Sequence, residues 1–197
     1  MPGAPILIVG SGVAGLTLAR TLSRSAVPFR LIAPPAARVD RGLGLWGRSQ
    51  VALAEIGLSQ LLETRAHRIP AAAYRSHAGT WLSRCSDSPR NSRRVATLRE
   101  SDLLAALRNE LSPGSVVDGS VAAVEVGPDG VSVRLEDGQT AEGSVVVGAD
   151  GVGSTVRRLL WPGGAPAVDL GLVSASGIAE RGFSEALAFE TLSGGSR

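Results

Sequence analysis

The sequence predicts an α/β fold organised on a parallel sheet, and three observations carry that prediction. An apolar run leads directly into Gly10-Ser11-Gly12-Val13-Ala14-Gly15, and a second leads into Asp150-Gly151-Val152-Gly153-Ser154-Thr155-Val156-Arg157. Between them lies a stretch that alternates in twos and breaks at Asp-Gly pairs. Uninterrupted apolar, β-branched runs are what strands covered on both faces look like, whereas two-residue alternation belongs to half-exposed antiparallel strands.

Ile6-Leu7-Ile8-Val9 is the first such run and predicts a central strand. Val13, Leu16, Leu18, Ala19 and Leu22 then recur at helical spacing as far as Ser25, and Phe29-Arg30-Leu31-Ile32-Ala33 restarts as a strand after Pro28. Strand, glycine loop, helix and strand in about 30 residues make a βαβ unit of Rossmann-like type, the setting in which G-x-G-x-x-G signifies a dinucleotide site. Gly10 permits the tight turn, Gly12 lets the main chain approach a pyrophosphate, and Gly15 lets the helix pack on the strand. The helix start then offers free N–H groups to the phosphates. One element is missing, since such folds place Asp or Glu at the end of the second strand to hold ribose hydroxyls, and here Ala33-Pro34-Pro35 stands instead. Asp40, in the following loop, is the candidate substitute.

Next, Gly42-Leu43-Gly44-Leu45-Trp46 precedes a helical pattern over 49–56 closed by Gly57, and a short helix over 58–63. Brief strands are expected at 71–74, 80–82 and 95–98, followed by an amphipathic helix over 100–111 with Asp102 in its first turn. Val116-Val117 reads as a third parallel strand. Segments 121–126, 131–135 and 139–142 form a β-meander whose hairpins turn at Asp129-Gly130 and Asp137-Gly138, so these acids take turn roles and no catalytic one. Ser144 to Ala149 is the next buried strand. Asp150 and Gly151 stand at its carboxyl edge, Ser154 caps the next helix, and Arg157 lies one turn in. Asp150 there suits ribityl or ribose hydroxyls, or the ordering of amides around a pyrophosphate; Arg157 suits Asp150, a phosphate or a backbone carbonyl.

Composition narrows the function classes. The chain has 197 residues, 44% of them hydrophobic, enough for one sizeable core or for one domain and part of a second. No apolar stretch is long enough for a membrane span, and the first strand begins too early for a cleavable leader, so a cytoplasmic location is expected. Cys85 is the only cysteine, which excludes a disulfide framework and a Cys-x-x-Cys metal or redox pair. His67 and His77 lack acidic or cysteine partners at ligand spacing, so no metal site is expected. Every basic residue is arginine and the net charge is only +2, so lysine Schiff-base chemistry is excluded. The arginines between Arg84 and Arg94 lack interleaved aromatics and read as a solvated loop, with no nucleic-acid partner. Trp46, Tyr74 and Trp81 are candidate pocket residues, although core packing explains such residues more often.

The chain resembles the FAD-dependent monooxygenases of the para-hydroxybenzoate hydroxylase class. The resemblance rests on Ile8 to Leu16, on Gly42 to Trp46 with Ala52 to Leu58, and on Val145 to Arg157. It implies a Rossmann-like FAD-binding domain with a parallel sheet and β-meander over 1–165, followed by the incomplete start of an antiparallel substrate domain over 166–197, of which 168–179 would form the first strands. It implies that Gly10, Gly12, Val13, Ala14 and Gly15 hold the FAD pyrophosphate, that Asp150 and Gly151 serve its ribityl-pyrophosphate region, and that an arginine facing FAD falls at Arg99, with Glu100 the competing register. The chemistry implied is reduction of FAD by NAD(P)H and delivery of oxygen from O2 to an aromatic or other electron-rich small molecule. The later Gly-Asp motif of the class has no counterpart, which points to an incomplete substrate domain and a possible partner chain that completes it. The competing expectations are a non-catalytic FAD-binding or protein-interaction remnant, one half of a two-chain assembly, and a related flavoprotein such as a halogenase or prenyl-chain reductase.

Overall fold

The computed structural model describes residues 3–34, 40–68, 71–76, 78–85, 95–171 and 187–192. In chain order the elements are β1 (Ile6–Val9), α1 (Val13–Arg24), β2 (Phe29–Ala33), β3 (Gly42–Leu45), α2 (Gly47–Leu53), a π turn (Ala54–Leu58), α3 (Ser59–Arg65), β4 (His67–Arg68), β5 (Ala71–Ser76), β6 (Trp81–Cys85), β7 (Ala96–Arg99), α4 (Glu100–Arg108), β8 (Val116–Asp118), β9 (Val121–Gly127), β10 (Gly130–Leu135), β11 (Thr140–Gly143), β12 (Val145–Gly148), α5 (Thr155–Leu160) and β13 (Leu187–Leu192). They fall into two compact units, one of residues 1–39 with 103–175 and one of 40–102 with 176–197.

The first unit is built on a four-stranded sheet in the order β12-β1-β2-β8, with every pair parallel. Ile6 stands opposite both Val145 and Phe29, and Leu31 opposite Val116. The meander β11-β10-β9 is antiparallel and covers one face. Leu7 and Ile32 of the sheet bury themselves there against Val131, Val133, Leu135 and Ala141, with Val117, Val121, Val124 and Val146 around them. Ile8 and Leu31 alternate to the other side and are fully buried, as is Ala19 of α1, which packs on β1 and β2. This sandwiching is why β1 carries no polar alternation and the meander does.

Arg20 breaks the apolar stripe of α1 and is nonetheless only 1% exposed. Its guanidinium donates to the Ala106 carbonyl at 2.9 Å and pairs with Glu110 at 2.7 Å, so the buried charge is satisfied at the end of α4.

In the second unit β3-β7-β4 form an antiparallel sheet, and β5 pairs with β6 antiparallel and with β13 parallel, Leu187 opposite Ala71. Gly57, at φ +85°, kinks the chain between α2 and α3 at the position expected to end a helix. Several expectations are corrected. Gly42 to Leu45 is a strand paired with β7, and α4 stops at Arg108 rather than Leu111. Residues 168–171 form no strand, and 172–179 lie outside the described residues. Trp46 and Trp81 are 63% and 38% exposed, so neither is a core residue. His77, residues 86–94 and the side chain of Tyr74 lie outside the described part.

Candidate functional site

The turn after β1 depends on two glycines. Gly10 has φ +114°, its amide donates to the Ile32 carbonyl at 2.8 Å, and a Cβ there would lie 2.2 Å from the Ala149 carbonyl oxygen. A Cβ on Gly15 would stand 1.8 Å from the Gly10 carbonyl oxygen. No other residue type fits either position, so β1, α1 and the β12 end meet at main-chain distance.

Gly12 occupies the N-cap of α1 in extended conformation with no side-chain cap, and the first turn, which includes Val13, Ala14 and Gly15, carries no acidic residue. The amides of that turn precede the first intrahelical bonds, the earliest of which is from Leu16 to Gly12 at 3.0 Å. An uncapped helix start of this kind favours an anion.

The second motif is constructed in the opposite way. The Asp150 carboxylate accepts the Ser154 hydroxyl at 2.5 Å and the amides of Thr155 and Val156 at 2.7 and 3.1 Å, while Ser154 Oγ accepts the Arg157 amide at 3.0 Å. The start of α5 is therefore capped from within. Partial burial opposes ionisation of Asp150, but the Ser154 hydroxyl and the amides of Val156 and Thr155 outweigh it and hold its carboxyl below the ordinary aspartate value. Gly151 follows at φ +84°. Of the partners left open for Arg157, the structure selects a backbone carbonyl, that of Val152.

These pieces surround a cleft of about 470 Å³. Gly10, Ser11 and Gly12 line it from the first motif, and Asp150, Gly151 and Gly153 from the second; Ala33 and Pro34 at the end of β2 and Ser120 and Glu136 near the meander complete its walls. Gly10, Gly12, Asp150 and Gly151, named from sequence, thus share one cleft, with Val13, Ala14 and Gly15 in the helix turn that follows it.

Arg99 belongs to the other unit, at the end of β7. Its guanidinium lies 3.5 Å from Asp40, whose carboxylate also accepts the Ser101 amide at 3.1 Å. That amide bond is the main cause holding the Asp40 carboxyl below its ordinary value. Asp40 therefore caps α4, a task different from the ribose contact considered for it. Glu100, the alternative register, is 8% exposed and held by the Arg41 Nε at 2.6 Å, so Arg99 is the solvent-facing member of the two. Sequence reasoning passed over Glu136; its place in an Asp-Gly turn gave no signal of a ligand.

Comparison with known proteins bears on the same residues. The FAD binding domain family matches residues 3–167. Aurachin C monooxygenase/isomerase of Stigmatella aurantiaca is 30% identical over 164 residues, 80% of this chain and 43% of that protein. The 3-amino-4-hydroxybenzoate 2-monooxygenase PtnB3 of Streptomyces platensis is 34% identical over 163 residues, 79% of this chain and 41% of the relative. This chain thus spans about two fifths of these curated relatives. Among solved structures, Klebsiella pneumoniae HpxO complexed with FAD and uric acid superposes with TM-score 0.68 at 24% identity, covering 80% of this chain and 42% of that one. The 2,6-dihydroxypyridine-3-hydroxylase of Arthrobacter nicotinovorans gives TM-score 0.68 at 20% identity, over 81% and 40%. At these identities the likeness is one of fold.

Proposed function

The chain belongs to the FAD binding domain family, and from that premise we propose that it is the FAD-holding part of a flavoprotein monooxygenase that hydroxylates an aromatic or other electron-rich small molecule with NAD(P)H and O2. The observation that carries this reading is the uncapped start of α1 opening on the cleft that also holds Asp150. The cleft suits a dinucleotide: Gly10 and Gly15 let β1, α1 and the end of β12 meet at main-chain distance, and the first-turn amides, which no side chain caps, supply donors for a pyrophosphate. Gly10, Gly12, Val13, Ala14 and Gly15 would hold the pyrophosphate, Asp150 and Gly151 the ribityl side, and Arg99 the further contact that the resemblance implies.

When bound, FAD supplies the redox chemistry, taking hydride from NAD(P)H and activating O2. The residues of this chain bind and orient it. Asp150 fixes the α5 start so that the loop over 150–154 keeps one shape against the ligand, and it does so as the anion, with its proton held off by the amides it accepts. An aromatic substrate is supported by the 3-amino-4-hydroxybenzoate named for one relative, and residues 166–197 are read as opening the substrate-binding domain.

No helix among the described residues is long and apolar enough to cross a membrane. A cytoplasmic location and a partner chain that completes the substrate domain are the finer expectations that go with this reading.

Titration of the chain with FAD, followed by the visible flavin bands, tests the proposal. Saturable perturbation at micromolar FAD is expected, and its absence up to millimolar FAD overturns the reading. Binding without NAD(P)H oxidation in the presence of candidate aromatics would favour a non-catalytic FAD-binding role instead.

A further inference from the structure

Ala33 leaves the end of β2 without the carboxylate that dinucleotide folds place there, yet the cleft beside it contains another acid. Glu136 follows β10 in the turn to β11 and lines the same cleft as Ala33. Two backbone hydrogen bonds tie the positions together: the Gly119 amide donates to the Ala33 carbonyl at 3.1 Å, and the Glu136 amide to the Ser120 carbonyl at 2.9 Å. The turn is closed independently by the Leu135 amide, which donates to the Gln139 carbonyl at 2.8 Å, so the Glu136 backbone is anchored whatever its side chain does.

 The neighbouring Asp137 has its carboxylate engaged by the Gln139 amide at 2.9 Å and side chain at 2.8 Å. Glu136, by contrast, is exposed and its carboxylate has no hydrogen bond or ion pair among the described residues.

We propose that Glu136 takes the part missing at Ala33 and accepts hydrogen bonds from the ribose hydroxyls on the adenosine side of the bound dinucleotide. The inference rests on the FAD reading above. A vicinal diol presents two donors, and a carboxylate is the acceptor that matches them with charge assistance. The acid comes from the meander here because the Ala33–Gly119 and Ser120–Glu136 bonds bring that turn to the wall that the β2 tip would otherwise serve.

Calorimetric titration of the whole chain and of E136Q and E136A, with FAD, ADP, 2′,3′-dideoxy-ADP and IDP, tests this. Glu136 is exposed and its structural bonds are main-chain ones, so both variants should melt with the wild type. Expected is a loss of about ten- to a hundredfold in FAD and ADP affinity, with the preference for ADP over its dideoxy analogue abolished. Variants that bind ADP as tightly as the wild type, or that keep the preference for the diol, overturn the inference while leaving the FAD reading standing. Loss of the preference for ADP over IDP instead would move the contact to the adenine amino group and overturn the ribose assignment. A wild-type chain that binds neither FAD nor ADP overturns both readings together.

Discussion

The Asp150 carboxylate and the Ser154 hydroxyl meet at 2.5 Å, and between them they accept three main-chain amides at the start of α5, those of Thr155, Val156 and Arg157. The start of α1 has no comparable side chain. Of two glycine-bearing motifs that look alike in sequence, one closes its helix start with its own side chains and the other leaves it without a side-chain cap.

That relationship has a pH signature. Folding holds the Asp150 carboxyl below its ordinary value, so the native state prefers the ionised form. The resulting stabilisation is present above the unfolded value, about pH 4, and is lost as pH falls through the lowered native value. D150N should therefore be less stable than the wild type at pH 7, and the gap should narrow as pH falls below the unfolded value of about 4. Urea unfolding on either side of that value measures the gap; a gap that does not narrow in acid would show that the charge contributes nothing.

Ser154 offers a smaller and separable effect. Its Oγ caps the Arg157 amide and its hydroxyl supports Asp150, so S154A removes a helix cap and should cost about 1 kcal/mol. S154D, which restores an acceptor at the cap position but sets a second carboxylate beside Asp150, should recover little of that loss. Thermal melts of the two variants decide the point, and a fully stable S154D would mean that capping alone matters.

The sheet and meander were legible because their chemistry is local: buried parallel strands are apolar throughout, and the Asp-Gly pairs fix the hairpins. Strand β3 was not, because Gly42 and Gly44 give it little strand preference of its own and it exists through pairing with Leu98 and Ala96 of β7. Within the site, the glycines could be read from spacing, since their roles lie in the main chain. Asp150 was visible as important but ambiguous, because the same position suits a ligand or a helix start. Glu136 and Arg20 were invisible for one reason: each lies beside residues distant in sequence, Ala33 and Pro34 in the lining of one cleft for the first, Ala106 and Glu110 for the second.

The close approach at the glycine turn predicts how G15A fails. The new Cβ would meet the Gly10 carbonyl oxygen, which belongs to backbone and cannot swing away, so α1 must shift outward from β1. A destabilisation of about 1–3 kcal/mol is expected from overpacking of this kind, together with a fall in FAD affinity larger than the stability loss accounts for, because the first-turn amides move with the helix. Chemical denaturation paired with FAD titration checks both; a variant that loses stability but binds FAD normally would mean that the position of α1 does not control the cofactor site.

Arg20 separates stability from binding in the other direction. Its guanidinium is buried, yet it serves the Ala106 carbonyl and Glu110 at the far end of α4, away from the glycine turn. R20A would leave a cavity and take the donor from the partly buried Ala106 carbonyl, and should cost about 2–4 kcal/mol. R20M fills most of the volume without restoring the hydrogen bonds. If packing dominates, R20M recovers most of the loss; if the buried polar contacts dominate, R20M stays close to R20A. The second outcome is expected, because methionine offers no donor to the Ala106 carbonyl or to Glu110, both of which Arg20 serves. Urea unfolding of the three proteins gives the ordering, and FAD affinity measured well below the unfolding midpoint should be the same in all of them.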